Sequence, residues 1–343
     1  MNRNSESSKS EKRNNFSENY KISTKLGDGS YGVVKLASKD DQEYAVKIIS
    51  KKRLFRKQGF MPKGGKRPDI LKQLYREIAI LKKLNHQNII KLIDVFDDSG
   101  SDNLYMVLEL LQNGPIIEIP TENTLPQSKA KKYFFDVICG LNYMHFHGII
   151  HGDIKNENLL LTINDRVKIT DFSTSYEFNC DTLAPIGGTP EFMPPELYNT
   201  KNITNHPAID IWAAGITLYI MIYGNTPFES DGVYTVMVEK ITKCDIDYPH
   251  RKDESMEDLI DLLAKMFQKD EKDRLSIKQI TQHKWLKDEK SPNRILENSE
   301  KIQVTEKEID SSVKTTTNLH TLMFIKTVIK KKSFKNPYKK QNT

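Results

Sequence analysis

Asp153 and Asp171 are the two acids around which this chain could do chemistry. Asp153 lies in His151-Gly152-Asp153-Ile154-Lys155-Asn156-Glu157-Asn158, and Asp171 lies in Thr170-Asp171-Phe172-Ser173 after a short apolar segment. An Asp that accepts a hydroxyl proton, a Lys two residues later and an Asn three after that supply a base, a partner for phosphate charge and a metal ligand. Asp153 would orient and deprotonate an acceptor hydroxyl. Lys155 would neutralise charge on the transferred phosphoryl group, and Asn158 with Asp171 would hold magnesium. Phosphoryl transfer asks for positioning and cations more than for covalent chemistry.

The donor phosphates need a cradle. Leu26-Gly27-Asp28-Gly29-Ser30-Tyr31-Gly32-Val33-Val34 follows G-x-G-x-x-G-x-V, with strand-like sequence on both sides. Glycines let backbone turn tightly and approach a triphosphate where a Cβ would obstruct it. The same glycines also suit a plain hairpin, and a dinucleotide site would need a helix directly afterwards. Here a second strand-like segment follows instead, Glu43 to Ile49, which alternates so that Ala45 and Lys47 share one face and Val46 and Ile48 the other. Lys47 faces the core side, where an unpaired ammonium loses its hydration without compensation. Glu77 has the mirror-image problem, because helical spacing puts it on one face with Leu74 and Leu81. An ion pair between Lys47 and Glu77 that also holds the α- and β-phosphates meets both needs; two unrelated surface charges are the alternative.

Other segments must carry these groups. Phe134, Val137, Ile138, Leu141 and Met144 recur at helical spacing between Gln127 and His147, and Gly148 punctuates the end, so a helix delivers the chain to the His151 loop. Ile209 to Tyr223 is apolar nearly all round, as a helix buried inside a helical lobe would be. Residues 1–19 are rich in Ser, Asn, Lys and Glu and are expected to form a disordered tail. Lys51 to Arg67 is basic and broken by Gly59, Pro62, Gly64 and Gly65, the pattern of a surface insert, and 289–318 has the composition of a linker.

With 343 residues, 37% apolar and 29% charged, the chain can fold as one large domain or two lobes with tails. A net charge of +6 is modest for this length and implies no nucleic-acid partner. The apolar run Ile211 to Tyr223 is too short to span a bilayer, so no transmembrane segment is expected. Cys139, Cys180 and Cys244 form neither a disulfide framework nor a zinc spacing. A cytoplasmic address, with the nucleus as a second compartment, and a monomeric state are the expectations.

In order and spacing these motifs resemble the protein kinase family from Tyr20 to Leu286. The resemblance implies an α+β, bilobal protein kinase fold with a small β-rich N-lobe (20–111) and a larger α-helical C-lobe (112–286). A regulatory tail (287–343) would follow. ATP and Mg2+ come with it. Lys155, together with Thr189 in Gly187-Gly188-Thr189-Pro190, is that family's serine/threonine pattern and makes Thr189 a catalytic-site residue. Pro194-Pro195-Glu196 stands where the family has A-P-E, and Arg274 is the expected bidentate partner of Glu196. Asp210 in Asp210-Ile211-Trp212-Ala213-Ala214-Gly215 is expected to bond the backbone of the catalytic loop, with His151 and Phe172 as buried packing residues.

More narrowly, the chain resembles the calcium/calmodulin-dependent protein kinase kinases. The basic insert of about 51–68, with Arg53-Leu54-Phe55-Arg56-Lys57-Gln58-Gly59-Phe60-Met61-Pro62, is similar to their Arg/Pro-rich insert. Gly114-Pro115-Ile116-Ile117-Glu118-Ile119-Pro120 is similar to their G-P-x-x-E-x-P signature. By this resemblance Leu108 is the gatekeeper, and Glu109 and Leu111 offer backbone groups to adenine. Residues 319–338 look like the family's autoinhibitory and calmodulin-binding segment. Independently, Leu322, Ile325 and Ile329 line one helical face flanked by Lys326 and Lys330 to Lys332, which suits either calcium-loaded calmodulin or an anionic membrane surface.

Gly152 and Ser173 depart from the usual Arg and Gly, and both are similar to plant kinases that activate SNF1-related kinases. Gly152 offers no cation to an activation-loop phosphate. Ser173 adds a Cβ, which is expected to restrict the loop to its Asp-in geometry. The expected function is that of an upstream serine/threonine kinase acting on activation-loop threonines of calmodulin-dependent or AMP-activated/SNF1-type kinases, under calcium-calmodulin control. A calcium-independent kinase with a membrane-binding tail is the alternative. A pseudokinase scaffold is a further one, opposed by the joint retention of Lys47, Glu77, Asp153, Asn158 and Asp171.

Overall fold

A computed structural model describes residues 16–29, 32–57, 70–97, 102–178, 187–199, 206–249, 256–287 and 304–313. Ser30, Tyr31, the 58–69 part of the insert, Cys180 and the 319–338 segment lie outside the described residues. The chain divides into two compact units, one comprising Met1–Tyr75, Leu92–Leu108 and Lys307–Thr343, the other Arg76–Lys91 and Glu109–Glu306.

The first unit is built on a sheet. After helix α1 (Phe16–Asn19) come β1 (Lys21–Gly29), β2 (Gly32–Lys39) and β3 (Gln42–Ser50), then α2 (Lys51–Lys57), α3 (Ile70–Lys83), whose residues from Arg76 on belong to the second unit, β4 (Leu92–Asp97) and β5 (Asn103–Glu109), whose last residue does too. The five strands lie in the order β1-β2-β3-β5-β4. Antiparallel pairing sets Val34 opposite Lys47 and Lys35 opposite Val46, so the alternation read in the sequence becomes two distinct faces.

The polar tail ends earlier than its composition suggests. Phe16 is 5% exposed and stacks on Tyr105 with ring centroids 4.3 Å apart. It also stacks on Tyr20 at 5.4 Å, and both join a cluster with Ala37, Val46, Phe96 and Val107. Two aromatic side chains remove enough apolar area from water to order a short polar segment that composition alone would leave loose.

The start of the basic insert is also ordered. Asp102 accepts the Ser50 hydroxyl at 2.6 Å and the Lys52 N–H at 2.9 Å, Lys51 pairs with Asp97 at 2.6 Å, and Leu54 is buried. These contacts hold α2 as a helix at the end of β3.

The second unit is helical. It contains α4 (Gln127–Phe146), α5 (Pro207–Tyr223), α6 (Tyr234–Lys243), α7 (Glu257–Met266) and α8 (Ile277–Thr281); a last helix, α9 (Glu306–Asp310), follows in the chain. Two small hairpins pair β6 (Ile149–Ile150) with β9 (Tyr176–Glu177) and β7 (Leu159–Leu161) with β8 (Val167–Ile169). The α4 stripe is buried as its periodicity requires, and every residue of α5 from Ala208 to Ile222 is buried. A sheet-based unit and a helical unit are what the α+β reading expects. Among the described residues no helix is long and apolar enough to cross a membrane.

Candidate active site

The strand β6 feeds the His151 loop, a short 3-10 turn spans Asn156–Asn158, and the β7–β8 hairpin returns the chain to Thr170 and Asp171. Cross-links set the distance between the two loops. His151 Nε2 lies 2.9 Å from the Thr170 carbonyl, while the Asn158 carbonyl accepts both the N–H of Thr170 (2.8 Å) and its hydroxyl (3.0 Å). The His151 ring meets Phe172 edge to face at 5.2 Å, and both side chains are fully buried. They pack the loops against the helical core, as the sequence suggests.

Asp210 is the anchor beneath. Its carboxylate accepts the backbone N–H of His151 and of Gly152, each at 2.9 Å, and lies 2.8 Å from His145 Nε2. Burial pushes this carboxyl up, but the His145 hydrogen bond, the nearby His145 and His151 charges and the Gly152 N–H outweigh it, leaving it below the usual carboxylate range. A negative charge held there fixes the loop's backbone from α5.

Four of the predicted catalytic residues converge. Asp153 Oδ1 accepts the N–H and the hydroxyl of Thr189, both at 2.8 Å, and Lys155 Nζ donates to that same hydroxyl at 2.6 Å. On the other side, Asp153 Oδ2 lies 3.1 Å from Lys155 Nζ and 3.0 Å from Asn158 Nδ2, which also donates to the Asp153 carbonyl at 2.8 Å. Both Asn158 donor hydrogens are spent on Asp153, which turns its amide oxygen away as an acceptor. Asp171 is half-buried with φ 56, a left-handed conformation rare for a residue with a side chain. One amide oxygen and one carboxylate suit magnesium bound together with nucleotide phosphates rather than in an all-protein cage. Among the described residues no cluster of three His, Cys, Asp or Glu side chains could hold a metal alone.

Glycine at 152 has a backbone reason as well as a charge consequence. Gly152 has φ 78 and Gly188 has φ 108, and a Cβ on Gly188 would come within 2.6 Å of the Gly152 carbonyl oxygen. The Thr189 segment therefore packs backbone to backbone on the catalytic loop. Gly188→Ala is expected to push Thr189 off Asp153 and lower kcat by about a hundredfold, since a 1 Å misplacement carries a cost of that order. Steady-state kinetics beside a melting curve would check that the loss is catalytic.

The remaining predicted residues divide between the units. Leu26, Gly27, Asp28 and Gly29 lie in β1, Gly32 and Val34 in β2, and Ala45 and Lys47 in β3, all in the first unit, whereas Glu77 on α3, Glu109 and Leu111 belong to the second. Lys47 and Glu77 are 5% and 4% exposed, as the desolvation reasoning requires of groups that need a counter-charge.

Glu109 has a side-chain task that the sequence did not signal. Its Oε1 accepts the Lys91 N–H at 2.7 Å and Lys168 Nζ at 2.6 Å. The Lys91 carbonyl occupies the Glu109 N–H at 3.1 Å. A pair 59 residues apart leaves no periodicity to read.

His86 sits behind the same hairpin. Its Nδ1 accepts the Asn88 N–H at 3.1 Å, the ring stacks on Tyr143 at 4.9 Å, and Asn88 Nδ2 donates to the Val167 carbonyl at 2.9 Å. Burial, reinforced by the Lys168 charge, takes the imidazole from 6.5 down to about 4. A folded-state value below the unfolded one means the unfolded chain takes up the proton first. The His86 contribution is thus fully present above pH 6.5 and lost as pH falls towards 4. His86→Phe is expected to flatten the melting temperature across that window.

The protein kinase domain family matches residues 20–286. The chain belongs to the protein kinase family. A calcium/calmodulin-dependent protein kinase kinase of Caenorhabditis elegans is 38% identical over 339 residues, covering 93% of this chain and 62% of that protein. The serine/threonine-protein kinases GRIK2 of Arabidopsis thaliana and STK11 of Gallus gallus are 39% and 37% identical, covering 76% and 78% of this chain. The chain spans 64% and 60% of those two proteins, less than two thirds of each relative's length.

Proposed function

We propose that this kinase transfers the γ-phosphoryl group of ATP to threonine or serine hydroxyls in the activation loops of other kinases, of the calmodulin-dependent or AMP-activated/SNF1 type. The observation that carries the phosphotransfer reading is the Asp153 carboxylate held from both sides by Thr189, Lys155 and Asn158. The choice of substrate rests on the likeness to a kinase kinase.

In this mechanism Asp153 receives the acceptor hydroxyl, orients it in line with the γ-phosphorus and takes its proton as the bond forms. Lys155 keeps its ammonium between Asp153 and the incoming phosphoryl oxygens. Asn158 and Asp171 would hold magnesium, which when bound neutralises phosphate charge. Lys47 is proposed to meet the α- and β-phosphates and Glu77 to supply a carboxylate counter-charge, while Leu26, Val34 and Ala45 of the first unit and the backbone of Glu109 and Leu111 of the second are the groups proposed to bind adenine.

Control is proposed to come from the 319–338 segment through calcium-loaded calmodulin. Gly152 supports it, because the loop carries no arginine with which an activation-loop phosphate could order it. The test is a kinase assay on a calmodulin-dependent kinase domain, with and without calcium-calmodulin, for the full chain and for a truncation after Lys287. Stimulation of the full chain and constitutive activity of the truncation are expected. Activity indifferent to calmodulin, with salt-sensitive binding to anionic vesicles, would transfer the tail to the membrane reading. Absence of transfer by either form would remove the enzyme reading.

A further inference from the structure

The catalytic loop is entered from a two-residue ladder, β6 against β9, in which Ile150 faces Tyr176 and Ile149 faces Glu177. So short a pairing does not hold its register in water unaided. Neighbouring groups reinforce it. Thr174 and Ser175 both donate their hydroxyls to the His151 carbonyl, at 3.0 and 3.2 Å, and the Phe178 N–H closes on the Gly148 carbonyl at 2.9 Å. The third hydroxyl in the row, that of the buried Tyr176, goes elsewhere. It lies 3.0 Å from His206 Nδ1, with the two rings edge to face at 5.8 Å and Phe178 stacked on the imidazole at 6.2 Å.

His206 is the N-cap of α5, a position that favours Ser, Thr, Asp or Asn, yet its side chain caps none of the described N–H groups of that helix. The ring is committed to β9 instead. A positive charge at the N-terminus of a seventeen-residue helix is unfavourable, and burial holds the imidazole below its usual range against the opposing charge of Glu271. Burial and the Asp210 charge push the Tyr176 phenol up, so it keeps its proton. A neutral imidazole accepts at Nδ1 and the phenol donates.

That bond closes a circuit inside the second unit. The helix that begins beside His206 also carries Asp210, whose carboxylate accepts the N–H groups of His151 and Gly152. The loop backbone is thus gripped from α5 twice, directly through Asp210 and, by way of His206, Tyr176 and the β6–β9 ladder, at the strand that feeds it. The second grip uses no charge, in a loop where Gly152 offers none.

We infer that His206 is a positioning residue for phosphoryl transfer: its bond to Tyr176 fixes β9, and through β9 the entry of the loop that carries Asp153. This rests on the phosphotransfer reading above and adds to it a residue outside the catalytic motifs.

The test measures kcat and the KM for ATP of the full chain on a calmodulin-dependent kinase domain with calcium-calmodulin present, beside melting curves. Tyr176→Phe keeps the buried ring and removes only the donor, His206→Phe keeps an aromatic ring and removes the acceptor, and His206→Asn offers an amide oxygen in place of Nδ1. In each phenylalanine variant kcat is expected to fall about tenfold with the ATP KM within about twofold. The double variant should fall no further than either single one, and His206→Asn should stay within about threefold of wild type. A kcat within about twofold of wild type in both phenylalanine variants, or losses that multiply in the double variant, overturns the positioning role and leaves the enzyme reading intact. Equal losses in all three single variants, in step with lowered melting temperatures, assign the pair to stability alone and also overturn it. Absence of transfer by the wild type removes both readings together.

Discussion

Asp153→Asn is expected to lower kcat by about 10²- to 10⁴-fold while leaving the melting temperature within a degree or two. The carboxylate accepts on both oxygens, from Thr189 on one side and from Lys155 and Asn158 on the other. An amide keeps one acceptor and turns an NH2 group toward donors on the other side. The variant therefore loses the base and also disturbs Asn158, the residue proposed to hold magnesium, or Thr189. A rise in the ATP KM beside the fall in kcat would show the Asn158 component. Thr189→Val removes the hydroxyl shared by Asp153 and Lys155 but leaves the carboxylate, so its loss should be smaller. Retention of near wild-type kcat in Asp153→Asn would mean that Asp153 is not the group that receives the proton.

Glu196→Ala is expected to cost about 3–5 kcal/mol of stability, because it strands a buried guanidinium. Arg274 has no side-chain exposure, and its two terminal nitrogens donate to the Glu196 carboxylate at 2.8 and 3.0 Å. The same group donates to the Ala208 carbonyl at 2.7 Å and to the Gln268 carbonyl at 3.1 and 3.2 Å, and lies 5.0 Å from the Trp212 ring. It ties the segment after Thr189 to α5 and to the loop after α7. At this size the loss should lower the melting temperature by roughly 10 °C, measured by calorimetry. Arg274→Lys keeps the charge but loses the two-pronged geometry, so it should fall between wild type and Glu196→Ala. A Glu196→Ala protein melting within two degrees of wild type would show that the pair is not structural.

Much of the site was legible because its residues sit at fixed short spacings on loops. Asp153, Lys155 and Asn158 fall within a single short loop, and the chemistry of each type limits what it can do. The Glu196–Arg274 pair spans 78 residues and was reached only through the family pattern. Glu109 with Lys168, and Arg166 with Asp136, had no such pattern, and neither pair leaves a local trace in the chain. Composition misplaced the end of the N-terminal tail because it averages over residues, while folding depends on where single aromatics land. The fit of Gly152 was half legible: the missing charge could be read, but its left-handed backbone could not.

The seat of Phe16 has a practical consequence. The family match begins at residue 20, whereas the ordered core reaches back to a ring sandwiched between Tyr20 and Tyr105. A recombinant fragment cut at the family boundary would strip that ring from the sheet and leave Tyr105 and Phe96 facing solvent. The useful cutting point lies upstream of Phe16.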